Sequence, residues 1–497
     1  MATSNSLSPI KTADFGAAQA HHLLNRAGFG GTPRQVDALV GMGLNRAVDH
    51  LVNYGSIDPA DLPGPEVDAD LIEPAPREQR QKMRRARRDQ DEQMMADFRA
   101  QRRQRRQADR EQHRRLQRWW MSRMFATSRP MEEKMTLLWH GHFASNHRTV
   151  RDSYLMFQQN VLFRRHAVGR FSDLAFGIIH DPAMIRFLDN HNNRKQKPNE
   201  NLARELMELF TLGEGNYTEA DIKQGARALT GYTYQDNDFH FAQRAHDPGP
   251  KVILGQRGRF DGDDFVRILL RQKACPRFVC YKLYNHLVGD VAYEHLADMP
   301  AARSVIWQMA RELERREYQI APVLRQLLRS RHFYDDAIIG NKIKSPAQLL
   351  VGTVRMMNVP ARDLDTLVDA MRLMGQDPFD PPSVAGWPGG RSWINTSTLF
   401  VRQNLCAFLI TGKRPGDQSW STAQIDYDPM FLLEGLATRS HEAIVDRLLS
   451  TLLSGQVPAQ RRRQMLQFLD QRSGPVKRDT IVALLLLLTA MPEYQLC

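Results

Sequence analysis

From Arg77 to Phe125 the chain contains neither proline nor glycine, and Arg, Gln, Glu and Ala dominate it. No other stretch restricts the fold as strongly, because such a run of good helix formers, with no residue that removes an amide donor or frees the backbone, dictates a long helix. Apolar positions are few until "LQRWWMSRMF". The first half is therefore expected to project into water or lie along a partner, and the second half to pack. Arg85 with Asp89 and Arg88 with Glu92 sit at the spacing that supports an isolated helix modestly. The segment also holds most of the formal net charge of +12, since the Lys and Arg excess is concentrated between Arg77 and Arg118. Nucleic acid or another polyanion would be engaged here, through Arg84, Arg85, Arg87, Arg88, Arg102, Arg103, Arg105 and Arg106. Interspersed acids and few aromatics favour instead a solvated helix.

The other segments read mostly as amphipathic helices. In "GFGGTPRQVDALVGMG", Thr32 caps, Pro33 takes the first helical position and Gln35 completes a capping box. Thr218 and Asp221 repeat the pattern. Aromatics alternating with polar residues after Gly231, and the turn "HDPGP", give a small irregular or β patch. The expected fold is mainly α, a multi-helix globular core with a long projecting Arg-rich helix. Four regions are expected: a helical hairpin over 1–57, a Pro-rich connector and the Arg-rich helix over 58–126, a helical core with the candidate site over 127–262, and a C-terminal helical region over 263–497 packed on that core.

Four cysteines in 497 residues form no zinc-type spacing. The N-terminal stretch lacks the basic and apolar regions of a secretory signal, which predicts a cytoplasmic protein. "IVALLLLLTAM", Ile481 to Met491, is shorter than the roughly 20 residues a membrane span requires, so it predicts a buried core helix. There is no GxSxG elbow, phosphate loop, GxGxxG, HExxH or EF-hand loop, which disfavours serine hydrolases of that type, P-loop NTPases and Rossmann dehydrogenases.

"LLNRAGFG", "MTLLWHGHFAS", "NENLARELMELFTLGEGNYTEADIKQGARALTGY", "HDPGPKVILG", "KIKSPAQLLVGTVR" and "GWPGGRSWINTSTLFVRQN" occur in order. Together they resemble the bacterial domain-of-unknown-function family 1800, from about His21 to the terminal "MPEYQLC". The resemblance implies no established chemistry. It implies that many members are exported and that a sulfatase-like family is a partner candidate. This chain departs in lacking an export signal and in carrying the Arg-rich segment.

Two constellations carry candidate chemistry. His140 and His142 in "WHGHFASNHR" are candidate ligands of a divalent metal ion. On a continuous helix they would diverge by about 200°, so joint ligation requires a break, which Gly141 between them could supply. The alternative is imidazoles that cap a helix end and bond backbone. In "NENLARELMELF", Glu200, Arg204 and Glu208 share one helical face, with Asn201 and Glu205 beside them. Arg204 would depress the pKa of either acid; the alternative is a surface ion-pair ladder. His246, Asp247 and Lys251 surround the "HDPGP" turn, where His246 suits acid/base chemistry and Asp247 could instead only initiate the turn. Arg391 and Trp393, with Trp387, suit a ring-shaped ligand or a packed glycine-rich corner. The resulting expectation is a metal-assisted or acid/base hydrolase with catalytic Glu205, Glu200, His246 and Asp247, and with Arg204, Asn201, Lys251, Arg391 and Trp393 holding substrate. A noncatalytic scaffold engaging a partner through the Arg-rich helix is the alternative. The hydrolase reading requires the acids near position 200 to meet the imidazoles near 140 and 246 in one recess.

Overall fold

The computed structural model describes residues 4–59, 62–72, 77–360, 362–413, 426–472 and 474–497. Part of the expected connector, at 60–61 and 73–76, lies outside the described residues. The chain is mainly α-helical. Helices α1 (Ala17–Ala27), α2 (Pro33–Met42) and α3 (Leu44–Val52) open it, with Thr32 and Gln35 exchanging the bonds of a capping box. The face Val36, Leu39, Leu44, Ala47, Val48 and Leu51 is buried, as its spacing predicts.

The proline-free run is not one helix. It breaks after α4 (Arg77–Arg88) and resumes as α5 (Glu92–Ala126), with Gln90 at φ 53° and the Asp91 carboxylate accepting from the Met94 amide at 2.9 Å. A side-chain oxygen that satisfies a free amide starts a new helix as firmly as proline ends one. α4 and α5 touch across this turn. The buried stripe of α5 begins with Asp109, Gln112 and His113 and ends with Leu116, Trp120, Met121 and Met124.

α6 (Pro130–His142), α7 (His147–Val150), α8 (Ser153–Arg165), α9 (Phe171–His180) and α10 (Pro182–Phe187) follow, then α11 (Asn201–Glu205), which widens into a π-helical segment, Leu206–Thr211. After α12 (Glu219–Ala228), β1 (Tyr232–Gln235) pairs antiparallel with β2 (Asp238–Phe241), and β3 (Lys251–Ile253) with β4 (Gln256–Gly258). Helices α13 (Gly262–Leu270), α14 (Ala274–Leu287), α15 (Pro300–Arg315) and α16 (Ile320–Arg329) complete one hydrophobic cluster, which reaches from Leu7 to Ile338. The second cluster joins the end of α5 and part of α8 to α17 (Pro346–Met357), α18 (Leu364–Leu373), α19 (Thr396–Thr411), α20 (His441–Leu452), α21 (Ala459–Asp470) and α22 (Arg478–Thr489). The apolar C-terminal run is the buried α22, and no described helix is long and apolar enough to cross a membrane.

One buried carboxylate binds α5, α6 and α8 together. Glu133 has no exposed side-chain surface and accepts from Trp120 Nε1 at 2.9 Å, from Arg164 Nε and Nη2 at 2.8 and 3.0 Å, and from Arg123. Burial alone would raise its pKa, but the Arg164 and Arg123 guanidiniums hold it below the ordinary carboxylate range. Replacing Glu133 by Gln leaves two desolvated guanidiniums facing a neutral group, and we expect a loss of about 3–5 kcal/mol in urea unfolding. A loss below about 1 kcal/mol would contradict this role.

Candidate functional site

The most unusual electrostatics lie where the two clusters meet. A recess of about 290 Å³ is lined by α1, α6, α14, residues 342–348 and the 385–393 loop. Four cations face it, Arg26, Lys134, Lys282 and Lys342, against one carboxylate, Asp290. Arg26 is 1% exposed and donates to the Val288 and Ile338 carbonyls at 2.7 and 2.9 Å. Lys134 is 7% exposed; its ammonium meets the Gln348 amide oxygen and lies 5.0 Å from the centre of the Phe29 ring, with no carboxylate in salt-bridge range among the described residues. Lys342 bonds Asp290 and the Asn285 carbonyl.

Burial pushes Lys134 down to about 7, with Cys497 opposing the shift and Lys342 and Arg26 adding to it. It also lowers Lys282 and Lys342. His142 donates Nε2–H to the Phe210 carbonyl at 3.0 Å, and burial takes it down to about 3, so its Nδ1 carries a lone pair. Among the buried polar atoms of the lining residues, Arg26 Nε, Gln348 Nε2, Trp387 Nε1 and His142 Nδ1 lack a hydrogen-bond partner. Three of these are donors. Buried donors are nearly always satisfied, and these three are shielded even from a water-sized molecule in the recess.

The tryptophan wall depends on glycine. Gly386, at φ +84°, approaches so closely that a Cβ would lie 2.0 Å from the Gly141 carbonyl oxygen, and a Cβ on Gly141 would meet the Trp387 ring at 3.2 Å. Gly141 thus serves loop packing and does not break α6, which continues through His142. A larger recess of about 580 Å³ runs along α15 and α16. There Arg315 and Arg316 pair with Glu312, and Arg325 and Arg329 with Asp49, leaving less charge for a ligand.

A second polar cluster lies where α5 meets the start of α7 and the "DPFDPP" loop. His113 bonds Asp380 at 3.0 Å and His147 bonds Asp109 at 2.8 Å, both through Nε2. Donor atoms of His113, His147 and Asp380 fall within 4.8 Å of one another, close enough to suggest a metal. The rings argue otherwise. They stack with centroids 4.0 Å apart and planes 9° from parallel, and an ion in the plane of one ring would lie well out of the plane of the other. With Gln117 on Asp377, the Ser153 amide on Asp109 and the Arg148 amide on Asp380, the cluster clamps α5 to both loops.

A profile of the family described as "protein of unknown function (DUF1800)" matches residues 22–496. The chain belongs to the DUF1800 family. No curated protein and no solved structure matches it.

Within this DUF1800 fold the residues singled out from sequence disperse. Arg204 reaches away from Glu205 to Glu219 at 2.8 Å while keeping Glu200 at 3.2 Å, an exposed ladder at the start of α12. The π-helical turn takes Glu208 out of that ladder, and it accepts from the Tyr217 hydroxyl at 2.8 Å. Burial, then Glu208, raises the Glu205 pKa and outweighs Arg204, which depresses it as expected. Asn201 stands at the first turn of α11, its side chain near the Leu188 carbonyl. At the other end of α12, roughly 12 Å along the axis, Arg227 holds Asp247 at 2.7 Å. Asp247 also accepts from the Gly249 amide, which is its turn-forming role, and Lys251 donates to the Asp247 and Gly249 carbonyls. His246 bonds the Thr230 carbonyl.

His140 and His142 diverge, as a continuous helix requires, so the condition for joint ligation is not met. His140 is walled by Trp120, Phe163, Phe379 and Trp387, with neither ring nitrogen bonded. The common recess on which the hydrolase reading depended therefore does not form from these residues. Of the sequence-derived candidates, His142 and Trp393 line the cationic recess, and Arg391 lines an adjoining one that shares Asp290 and Ile343. Lys134, Lys282 and Lys342 were not foreseen. The available signal was Lys134 among Met131, Met135 and Leu138, a charge on a stripe where helical spacing calls for apolar groups.

Burial pushes His140 down to about 3, from 6.5. Between those values the unfolded chain binds the proton first, so this contribution to stability is present above pH 6.5 and lost as pH falls toward 3. His140→Phe should fold normally and lose less stability than the parent between pH 6.5 and 4. Denaturant titrations across that window give the comparison, and parallel pH profiles would contradict the assignment.

Proposed function

We propose that this protein is an acid/base enzyme acting on a small, ring-bearing organic anion held in the cationic recess. The observation that carries the reading is the excess of cations, Arg26 and Lys134 buried and Lys282 and Lys342 half-buried, with Lys134 lacking a carboxylate partner among the described residues, in a recess walled by Trp387 and Trp393. Retaining an uncompensated ammonium away from water is costly, and such groups concentrate at functional sites. A phosphate, sulfate or carboxylate group would supply a counter-charge for the lysines, and the tryptophans offer faces for a ring. Lys134 exchanges a proton near neutral pH, which suits it to general acid/base work, and His142 Nδ1 can accept a substrate hydroxyl. Glu200, Glu205 and His246 have no part in this scheme.

Inorganic sulfate and phosphate should bind with measurable heat in calorimetry. Lys134→Met or Lys282→Met should weaken binding by about 10- to 100-fold, corresponding to loss of one charge-assisted contact, whereas Glu205→Gln should leave it unchanged. The pH dependence has a fixed sign. An anion raises the Lys134 pKa above its free value of about 7, so binding is strongest below pH 7 and falls by up to about tenfold per pH unit above it. Lys134→Met should flatten that slope. Equal affinity in the parent and both Lys variants would remove the proposal.

A further inference from the structure

Two of the acids that intersperse the Arg-rich run in sequence, Asp97 and Glu111, turn away from its outer arginines in space. α5 is continuous from Glu92 to Ala126, so each residue turns about 100°. Arg99, Arg102, Arg103, Arg106 and Arg110 then fall within a sector roughly 100° wide and about 16 Å long. Asp97 and Glu111 point to the other side, Asp109 is buried at the sector's edge against His147, and Glu92 lies within the sector about 10 Å before Arg99 without an ion pair to it. All five arginines are exposed, and no described acidic side chain pairs with them; the one bond found is from Arg99 Nε to the Met95 carbonyl of its own helix. The same edge continues toward the core, where its arginines are engaged. Arg114 and Arg118 bond Asp365 at 2.6 and 2.7 Å, and Arg114 also meets Asp369 at 3.0 Å. The row is therefore neutralised where it touches the protein and left open where it leaves it.

We infer that this row binds the phosphodiester backbone of nucleic acid. Duplex DNA carries one negative charge per roughly 1.7 Å of axis, enough to meet every guanidinium in the row, and its major groove admits a helix. Arginine forks match phosphate oxygens in geometry as well as charge. An anionic membrane fits less well, because an interfacial helix needs a broad apolar face with Leu, Phe or Trp opposite its cations. On α4 and the free half of α5 the only exposed large apolar side chains among the described residues are Met83 and Met94. The contacts are to backbone, so binding is indifferent to base sequence.

The test is fluorescence anisotropy of the full chain with a labelled 30-base-pair duplex between 50 and 200 mM KCl. Two double variants remove equal charge from different faces. Arg102→Glu with Arg106→Glu strikes the row; Arg105→Glu with Arg115→Glu strikes elsewhere on the same helix. Five phosphate contacts give a log–log salt slope of about −4.5, which the row variant should reduce by about 2 while losing more than about tenfold in affinity at 100 mM KCl. The off-row variant should lose less than about threefold, and both should retain the parent's helical circular dichroism. Absence of binding at 50 mM KCl, equal losses in the two variants, or tighter binding to vesicles containing phosphatidylglycerol than to DNA would each overturn the inference.

Discussion

The Glu133 carboxylate is the constraint on which the remaining geometry rests. Two helices flanking α6 supply its partners, Trp120 and Arg123 from α5 and Arg164 from α8, while α6 supplies the acid itself. A buried ion pair contributes little net stability compared with well-packed apolar groups, yet a half-broken one is severely destabilising. Such an interaction therefore selects one mutual arrangement of helices and penalises the rest. With α6 fixed in this way, Lys134 is carried into the interior one residue along from Glu133. The two adjacent charges meet opposite fates, since Glu133 has two guanidiniums for company and Lys134 has an amide oxygen and an aromatic face.

That contrast separates structural from functional burial of charge. The His113–Asp380 and His147–Asp109 pairs each match an imidazole with a carboxylate, although His113 Nδ1 stays unbonded, and they clamp α5 against two loops. The Arg315 and Arg316 pairs with Glu312 are likewise closed. Around Lys134 the bonds do not close, and donors on Arg26, Gln348 and Trp387 stay unmatched. Proximity of titratable groups alone ranks the stacked histidines highest, whereas ring orientation and charge balance rank the cationic recess above them.

Much of the fold was legible in the sequence, because caps and periodicity are local. Thr32 with Gln35, Thr218 with Asp221, the face of α2 and α3 and the buried α22 follow from spacing. The break at Gln90 was missed because nothing in "RRDQDEQ" forbids a helix; Asp91 merely caps better than it propagates. The π-helical turn after Glu205 escaped for a related reason, since it changes the register without changing composition. The candidate site was read only in part. "WHGHF" and "GWPGG" do meet, but through Gly141 and Gly386 and through His142, and not through a shared ion. Which distant lysines converge is a tertiary fact, and the helical face carrying Lys134 was its only local trace.

The contact between Gly386 and the Gly141 carbonyl also bears on how such a protein can be inherited. Arg26, Lys134 and Lys282 come from the first hydrophobic cluster's helices, and the aromatic wall comes from a loop that adjoins the second. Neither portion forms the cationic recess by itself, so shuffling one of them into another gene would transmit a scaffold without that pocket. Selection on the pocket would keep the two as a single heritable unit, in accord with a family signature that runs unbroken from residue 22 to 496.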